Sequence, residues 1–106
     1  ITLPDGGTRR SYSMANAPGV NRLEFFIRSV PGGAFSQWLA GARVGDAVQL
    51  SAPHGTFFLR DEDRPRLFVA GGTGVAPFLS MLRSMAASPG AQRTTFVIGA
   101  RTPGHL

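Results

Sequence analysis

Leu23, Phe25 and Ile27 alternate with Glu24, Phe26 and Arg28, and this period of two predicts a β-strand over residues 22–30. Shorter extended runs at 1–3, 9–14, 47–51 and 57–60 are bounded by turn signals. These are Asp5-Gly6-Gly7-Thr8, a loop over 15–21, Pro31-Gly32-Gly33, Val44-Gly45-Asp46 and Pro53-His54-Gly55-Thr56. One helix interrupts them: Phe35, Trp38 and Leu39 share a face over 35–40, and Gly41 is a natural stop. Short strands joined by tight turns predict a small antiparallel barrel.

The period changes after the polar stretch Asp61-Glu62-Asp63-Arg64-Pro65, which reads as a linker. A strand is expected over 66–70, a helix over about 77–87 with Phe78, Met81, Leu82 and Met85 as its apolar stripe, a turn at Ser88-Pro89-Gly90, and a strand over 93–99. Strand, helix, strand is a βαβ unit and opens a parallel α/β sheet. The expected division is therefore 1–63 as a β-barrel domain and 64–106 as the first βαβ portion of a second domain.

Composition narrows the classes. A chain of 106 residues makes one small domain or parts of two. The formal net charge is +5, and all 11 Lys+Arg positions are Arg, scattered from Arg9 to Arg101 without a basic tract. That argues against nucleic acid as a partner. With no Cys, disulfides, cysteine-ligated zinc and iron–sulfur clusters are excluded within these residues, and two His leave no credible metal site. The apolar-rich run 67–82 is broken by glycines and Pro77, so no membrane span is expected, and no secretory leader is visible. A cytoplasmic location follows as an expectation. Ile1-Thr2-Leu3-Pro4 looks like the end of a strand and the residues up to Leu106 show no obvious stop to the fold, so a fragment of a longer protein is expected.

Three runs offer chemistry. In Arg10-Ser11-Tyr12-Ser13 an arginine and an aromatic share one strand face: the guanidinium can grip a phosphate, the ring can stack on a planar system, and the Ser13 hydroxyl can donate to a ring nitrogen. The same run also reads as an exposed polar strand face. Gly32-Gly33-Ala34-Phe35-Ser36 opens the short helix, where unpaired N–H groups suit a phosphate; it reads equally as a plain turn capped by Ser36. Ala70-Gly71-Gly72-Thr73-Gly74-Val75-Ala76-Pro77 joins a strand to a helix through a tight glycine turn. It is G-x-G-x-x-P, not G-x-G-x-x-G, with Pro77 acceptable in a first helical turn because its missing N–H is not needed there.

Taken in this order the three runs resemble the ferredoxin–NADP reductase superfamily. Arg10-Ser11-Tyr12-Ser13-Met14-Ala15-Asn16, Arg22-Leu23-Glu24-Phe25, Ile27-Arg28 and the glycine turn are most similar to the reductase components of bacterial multicomponent oxygenases. The resemblance implies an FAD-binding barrel followed by a nicotinamide-nucleotide domain. It implies that Arg10 pairs with the FAD pyrophosphate, Ser11 and Tyr12 lie against the cofactor with Tyr12 on the isoalloxazine, and Ser13 sits near N5. Ile27, Arg28, Ser29 and Val30 would line the cofactor, and Gly33, Ala34, Phe35 and Ser36 would cradle the pyrophosphate. Gly72, Thr73, Gly74 and Pro77 would face the nicotinamide nucleotide, with Thr73 near the reacting rings, and Arg101 and Thr102 would meet the adenosine ribose. Ser13 and Thr73 are thus the implied catalytic residues.

The implied activity is electron transfer from NAD(P)H through FAD to an iron–sulfur centre, in a ferredoxin or a ferredoxin domain carrying a 2Fe-2S cluster, that serves an oxygenase. No Asp or Glu follows Asp63 and Arg101 suits a 2′-phosphate, whereas the style of the family favours NADH; both nucleotides stay open. A stand-alone flavin reductase, a cytochrome b5 reductase-like enzyme and a non-catalytic fragment that inherits the fold are the alternatives. The later Cys-Gly-Pro segment and C-terminal aromatic of the family do not occur in this chain, so an incomplete nucleotide site is expected. Trp38 reads as a packing anchor, His54 as a turn residue, and Asp61, Glu62 and Asp63 as solvated.

Overall fold

The computed structural model describes residues 1–60, 62–86 and 93–105. The elements are α1 (Ala34–Gly41), β1 (Arg66–Gly71), α2 (Val75–Ala86) and β2 (Thr94–Gly99), with 3-10 turns at Gly72–Gly74 and Pro103–His105. The chain forms two compact units. One comprises Ile1–Tyr12 and Ile27–Thr56, the other Ser13–Phe26 and Phe57–Leu106. The expected turn Ser88-Pro89-Gly90 lies outside the described residues.

In the first unit, order comes from turns and isolated antiparallel pairings. Thr2 lies between Arg9 and Gln49, exchanging both backbone bonds with Gln49 at 2.8 and 2.9 Å. The turn after Leu3 is built on Asp5. Its carboxylate accepts the Thr8 hydroxyl at 2.6 Å and the N–H groups of Gly7 and Thr8 at 2.9 and 2.8 Å. The Thr8 hydroxyl first, then those two N–H groups, hold the Asp5 carboxyl below the usual carboxylate range. Arg43 N–H donates to Asp46 at 2.8 Å across a turn that needs Gly45 at φ +102°. The strand expected over 47–51 is reduced to the single pairing of Gln49, and Val48 and Leu50 stay exposed. Without a ladder on either side, an extended run keeps its bridge and nothing more. Leu3 and Phe35 are the buried hydrophobics of this unit among the described residues. α1 forms as expected from its Phe35–Trp38 face, with those ring centroids 6.3 Å apart.

In the second unit β1 and β2 pair in parallel, with Phe68 opposite Phe96, Ala70 opposite Ile98 and Gly71 opposite Gly99. α2 packs on one face of this pair. Its Met81 and Met85 form the core with Phe68, and Phe78, Leu82, Leu59 and Phe96 close around them. This is the stripe the helical period predicts. The run 57–60, expected as a strand, is irregular; Phe57 sits edge-on to Phe78 at 5.4 Å instead.

The segment Ser13–Phe26 joins this unit by polar contacts. Met14 bridges Phe25, and Ala15 N–H donates to the Glu24 carbonyl at 2.8 Å. Of the strand expected over 22–30, that single bridge is what forms, with Leu23 exposed. From α2, Ser80 donates to the Asn16 carbonyl at 2.6 Å. Arg83 donates from one nitrogen to the Ala15 carbonyl at 2.9 Å and to the Glu24 carboxylate at 2.7 Å.

Candidate functional site

Each expected site residue is placed within one of the two units. In the first, the backbone of Arg10 is pinned to Ile1, its N–H donating to the Ile1 carbonyl at 3.0 Å. Its exposed guanidinium spends one donor on the Arg9 carbonyl at 2.7 Å. A guanidinium carries five N–H donors in a planar fork, so the rest remain for an anion. Arg10 lines a groove of about 400 Å³ together with Arg9, Ser11, Gln49, Ser51 and His54. His54 Nε2 is 3.0 Å from the Ser51 hydroxyl. His54 also lines the groove that Arg10 lines, through the pairing of Thr2 with both Arg9 and Gln49, which no local sequence pattern reports.

Two residues on, Tyr12 is half-buried, its ring centroid 5.2 Å from that of Phe35 at a tilt of 58°. Phe35 is 4% exposed in the first turn of α1, so it fixes the tyrosine ring from one side. The entry to α1 is locally determined. Gly33 N–H donates to the Val30 carbonyl at 2.9 Å, with Gly32 at φ +75°. A Cβ on Gly33 would stand 3.1 Å from that carbonyl oxygen. Ser36 does not cap its own helix: its hydroxyl oxygen accepts the Val30 N–H at 2.8 Å. No side chain caps α1, whose first intrahelical bond is Gln37 N–H to the Gly33 carbonyl. The N–H groups of Ala34, Phe35 and Ser36 precede that bond and point out of the helix end. Gly33 shapes this entry, while the three residues after it supply the donors. Ile27 is half-buried and Arg28 exposed in the same unit.

The second unit holds Ser13, which is exposed, and the glycine turn. Gly72 takes φ +54°, a left-handed conformation that a side chain resists, and Val75 N–H closes the turn on the carbonyls of Gly72 and Thr73. Pro77 is the third residue of α2, where its missing N–H costs no bond. Because Gly71 and Gly99 are level in the parallel register, the turn and residues 100–102 leave from the same carboxyl edge of the sheet. That edge is where open α/β sheets receive ligands. Thr73, Gly74, Arg101 and Thr102 are all exposed there.

An arginine fork with donors to spare, an aromatic ring fixed on one side and an uncapped helix start occur in one unit, and groups of this kind suit a diphosphate and a planar ring. A glycine turn at the carboxyl edge of a parallel pair fits a nucleotide. Among the described residues no group of three His, Cys, Asp or Glu is arranged to hold a metal, and no helix is long and apolar enough to cross a membrane.

Residues 1–59 match the oxidoreductase FAD-binding domain family and residues 68–106 the oxidoreductase NAD-binding domain family. The chain belongs to the FAD-binding oxidoreductases of the ferredoxin reductase family. It is 48% identical to methane monooxygenase component C of Methylosinus trichosporium, over 93% of this chain and 30% of that protein. It is 40% identical to the electron transfer component of anthranilate 1,2-dioxygenase from Acinetobacter baylyi, over 100% of this chain and 32% of that one. The crystal structure of the Amycolatopsis cytochrome P450 reductase GcoB superposes with a TM-score of 0.84 at 33% identity, over 99% of this chain and 34% of that one. The chain spans about a third of the length of these relatives.

Proposed function

We propose that these residues carry the flavin-binding and nicotinamide-facing parts of a cytoplasmic reductase that moves electrons from NAD(P)H through FAD to an iron–sulfur centre serving an oxygenase. The observation that carries the reading is the presence in one unit of the Arg10 fork, the Tyr12 ring seated on Phe35 and the uncapped start of α1. Relatives that include the electron transfer component of anthranilate 1,2-dioxygenase and the reductase component of propane 2-monooxygenase support an electron-transfer role.

FAD, when bound, supplies the chemistry of accepting a hydride and releasing electrons singly. The chain's own residues bind and orient. In this reading Arg10 and the N–H groups of Ala34, Phe35 and Ser36 neutralise a diphosphate. Tyr12, held by Phe35, offers its ring to a planar system without first losing rotamer freedom. The Ser13 hydroxyl is the hydrogen-bond donor to the ring. Thr73, in the glycine turn, positions a nicotinamide nucleotide, and Arg101 and Thr102 meet its ribose.

The test is titration of FAD into the complete protein, followed by anaerobic addition of NADH or NADPH. Flavin fluorescence should quench on binding and the flavin absorbance bleach on adding nucleotide. Replacing Arg10 by Ala removes charge-assisted bonds worth about 1.5–3 kcal/mol, so the dissociation constant for FAD should rise roughly 10- to 100-fold. Absence of flavin binding overturns the reading; binding that ignores Arg10→Ala removes the arginine from it.

A further inference from the structure

The Ser13–Phe26 segment meets α2 through a clasp that neither hydrophobic burial nor secondary structure explains. Ser80 and Arg83 lie three apart on α2 and therefore on one face. Ser80 holds the Asn16 carbonyl and Arg83 holds the Ala15 carbonyl, across 64 and 68 residues of chain. The same Arg83 nitrogen holds the Glu24 carboxylate, and Glu24 is itself bound twice to this segment. Its N–H donates to the Asn16 side-chain oxygen at 3.0 Å, and its carbonyl accepts the Ala15 N–H. Ala15, at the centre, is 0% exposed.

As a stabilising device this is poorly made. The side chains of Arg83 and Glu24 are 41% and 38% exposed, and ion pairs at such exposure contribute little to folding. As a positioning device it is well made. It fixes two successive carbonyls, which sets both the height and the twist of the chain immediately after Ser13. The helix it fixes them to begins directly after the Gly72–Gly74 turn. Ser13 and Thr73 therefore belong to one unit, with α2 as the spacer between them.

We infer that Arg83, assisted by Ser80, is a positioning residue for hydride transfer: it holds Ser13 at a fixed separation from the Gly72–Gly74 turn. The inference rests on the reading of Ser13 and Thr73 given above. Hydride transfer demands close approach, and a displacement of about 1 Å can cost on the order of 100-fold in rate. A clasp that fixes two backbone carbonyls limits such displacement without contacting either nucleotide.

The experiment uses Arg83→Ala, Arg83→Lys and Ser80→Ala in the complete protein, with two readouts. The first is amide hydrogen exchange without cofactor. Arg83→Ala should speed exchange at Ala15 and Glu24 by about tenfold, the effect of losing a charge-assisted bond, and leave Phe68 and Phe96 protected. The second is anaerobic flavin reduction at saturating NADH. Arg83→Ala should slow it about tenfold, with FAD affinity and half-saturation by NADH within about twofold. Arg83→Lys, which keeps the charge and several donors, should recover most of the rate. Ser80→Ala, losing one neutral bond, should slow it about threefold, and it decides the matter if Arg83→Ala does not fold. Unchanged exchange, or faster exchange with a wild-type reduction rate, overturns the inference. Wild-type protein whose flavin neither NADH nor NADPH reduces overturns the flavin reading instead, and the exchange readout still decides whether the clasp exists.

Discussion

The two units of this chain are ordered by different forces. The unit of Ser13–Phe26 and Phe57–Leu106 is built as a hydrophobic core is usually built, with Phe68, Met81 and Met85 buried between a parallel strand pair and a helix. The unit of Ile1–Tyr12 and Ile27–Thr56 buries Leu3 and Phe35 among its described residues and otherwise relies on turns. Asp5 closes one, Asp46 another, and the bond from the Val30 N–H to the Ser36 hydroxyl a third. Yet the turn-built unit presents the sharper chemistry, since Arg10, Tyr12 and the start of α1 are all set by local hydrogen bonds and one aromatic contact. Recognition of a charged, polar cofactor needs backbone groups that are exposed and aimed, and an extensive core would cover them.

This contrast can be broken experimentally. The largest effect should come from Phe68→Ala, which empties the core of the second unit and should cost about 3–5 kcal/mol, measured by denaturant unfolding. Exchange at Thr2 and Gln49 in the first unit should change little at low denaturant; if it rises in step with β1, the two units share one cooperative transition and the contrast fails.

Gly33→Ala should act in the opposite way. A Cβ 3.1 Å from the Val30 carbonyl forces the turn to shift by a few tenths of an ångström. The overall unfolding cost should be about 1 kcal/mol, within the usual range for single substitutions, while FAD affinity falls several-fold because the N–H groups at the start of α1 are re-aimed. Undiminished affinity would show that the entry to α1 tolerates more than its geometry suggests.

The smallest effect belongs to Asp5. Its carboxyl is depressed by the Thr8 hydroxyl and by the N–H groups of Thr8 and Gly7, so its contribution is present above the ordinary carboxylate pKa and fades as pH falls through the lower folded value. Amide shifts of Gly7 and Thr8 should titrate together below the usual carboxylate range, and Asp5→Asn should remove that titration. A normal midpoint would show that the turn is not closed by the ionised carboxylate.

Legibility in the sequence follows the same division. α2 is readable because its apolar residues recur with the helical period, and β1 and β2 because each is a short unbroken apolar run; the stripe Phe78, Met81, Leu82 and Met85 meets Phe68 and Phe96 as the spacing requires. The barrel strands announced by alternation at Leu23, Phe25 and Ile27 appear as extended chain with a single bridge at Phe25. Alternation reports which face a residue takes, not whether a neighbouring strand is there to pair with it. Of the proposed site, the family motifs point to Arg10, Tyr12 and the glycine turn. They were silent on Arg83, Ser80 and the groove position of His54, because those depend on contacts between distant parts of the chain. Ser80 and Arg83, at i and i+3 on a largely apolar helix, were the local sign of the clasp.

The level register of β1 and β2 has one more consequence. It puts Leu67 opposite Thr95 and Val69 opposite Val97 on the face away from α2, where Leu67 and Val69 are 66% and 62% exposed. Parallel sheets are ordinarily covered on both faces. Left bare, that apolar face is an adhesive strip that works against the solubility the +5 charge confers.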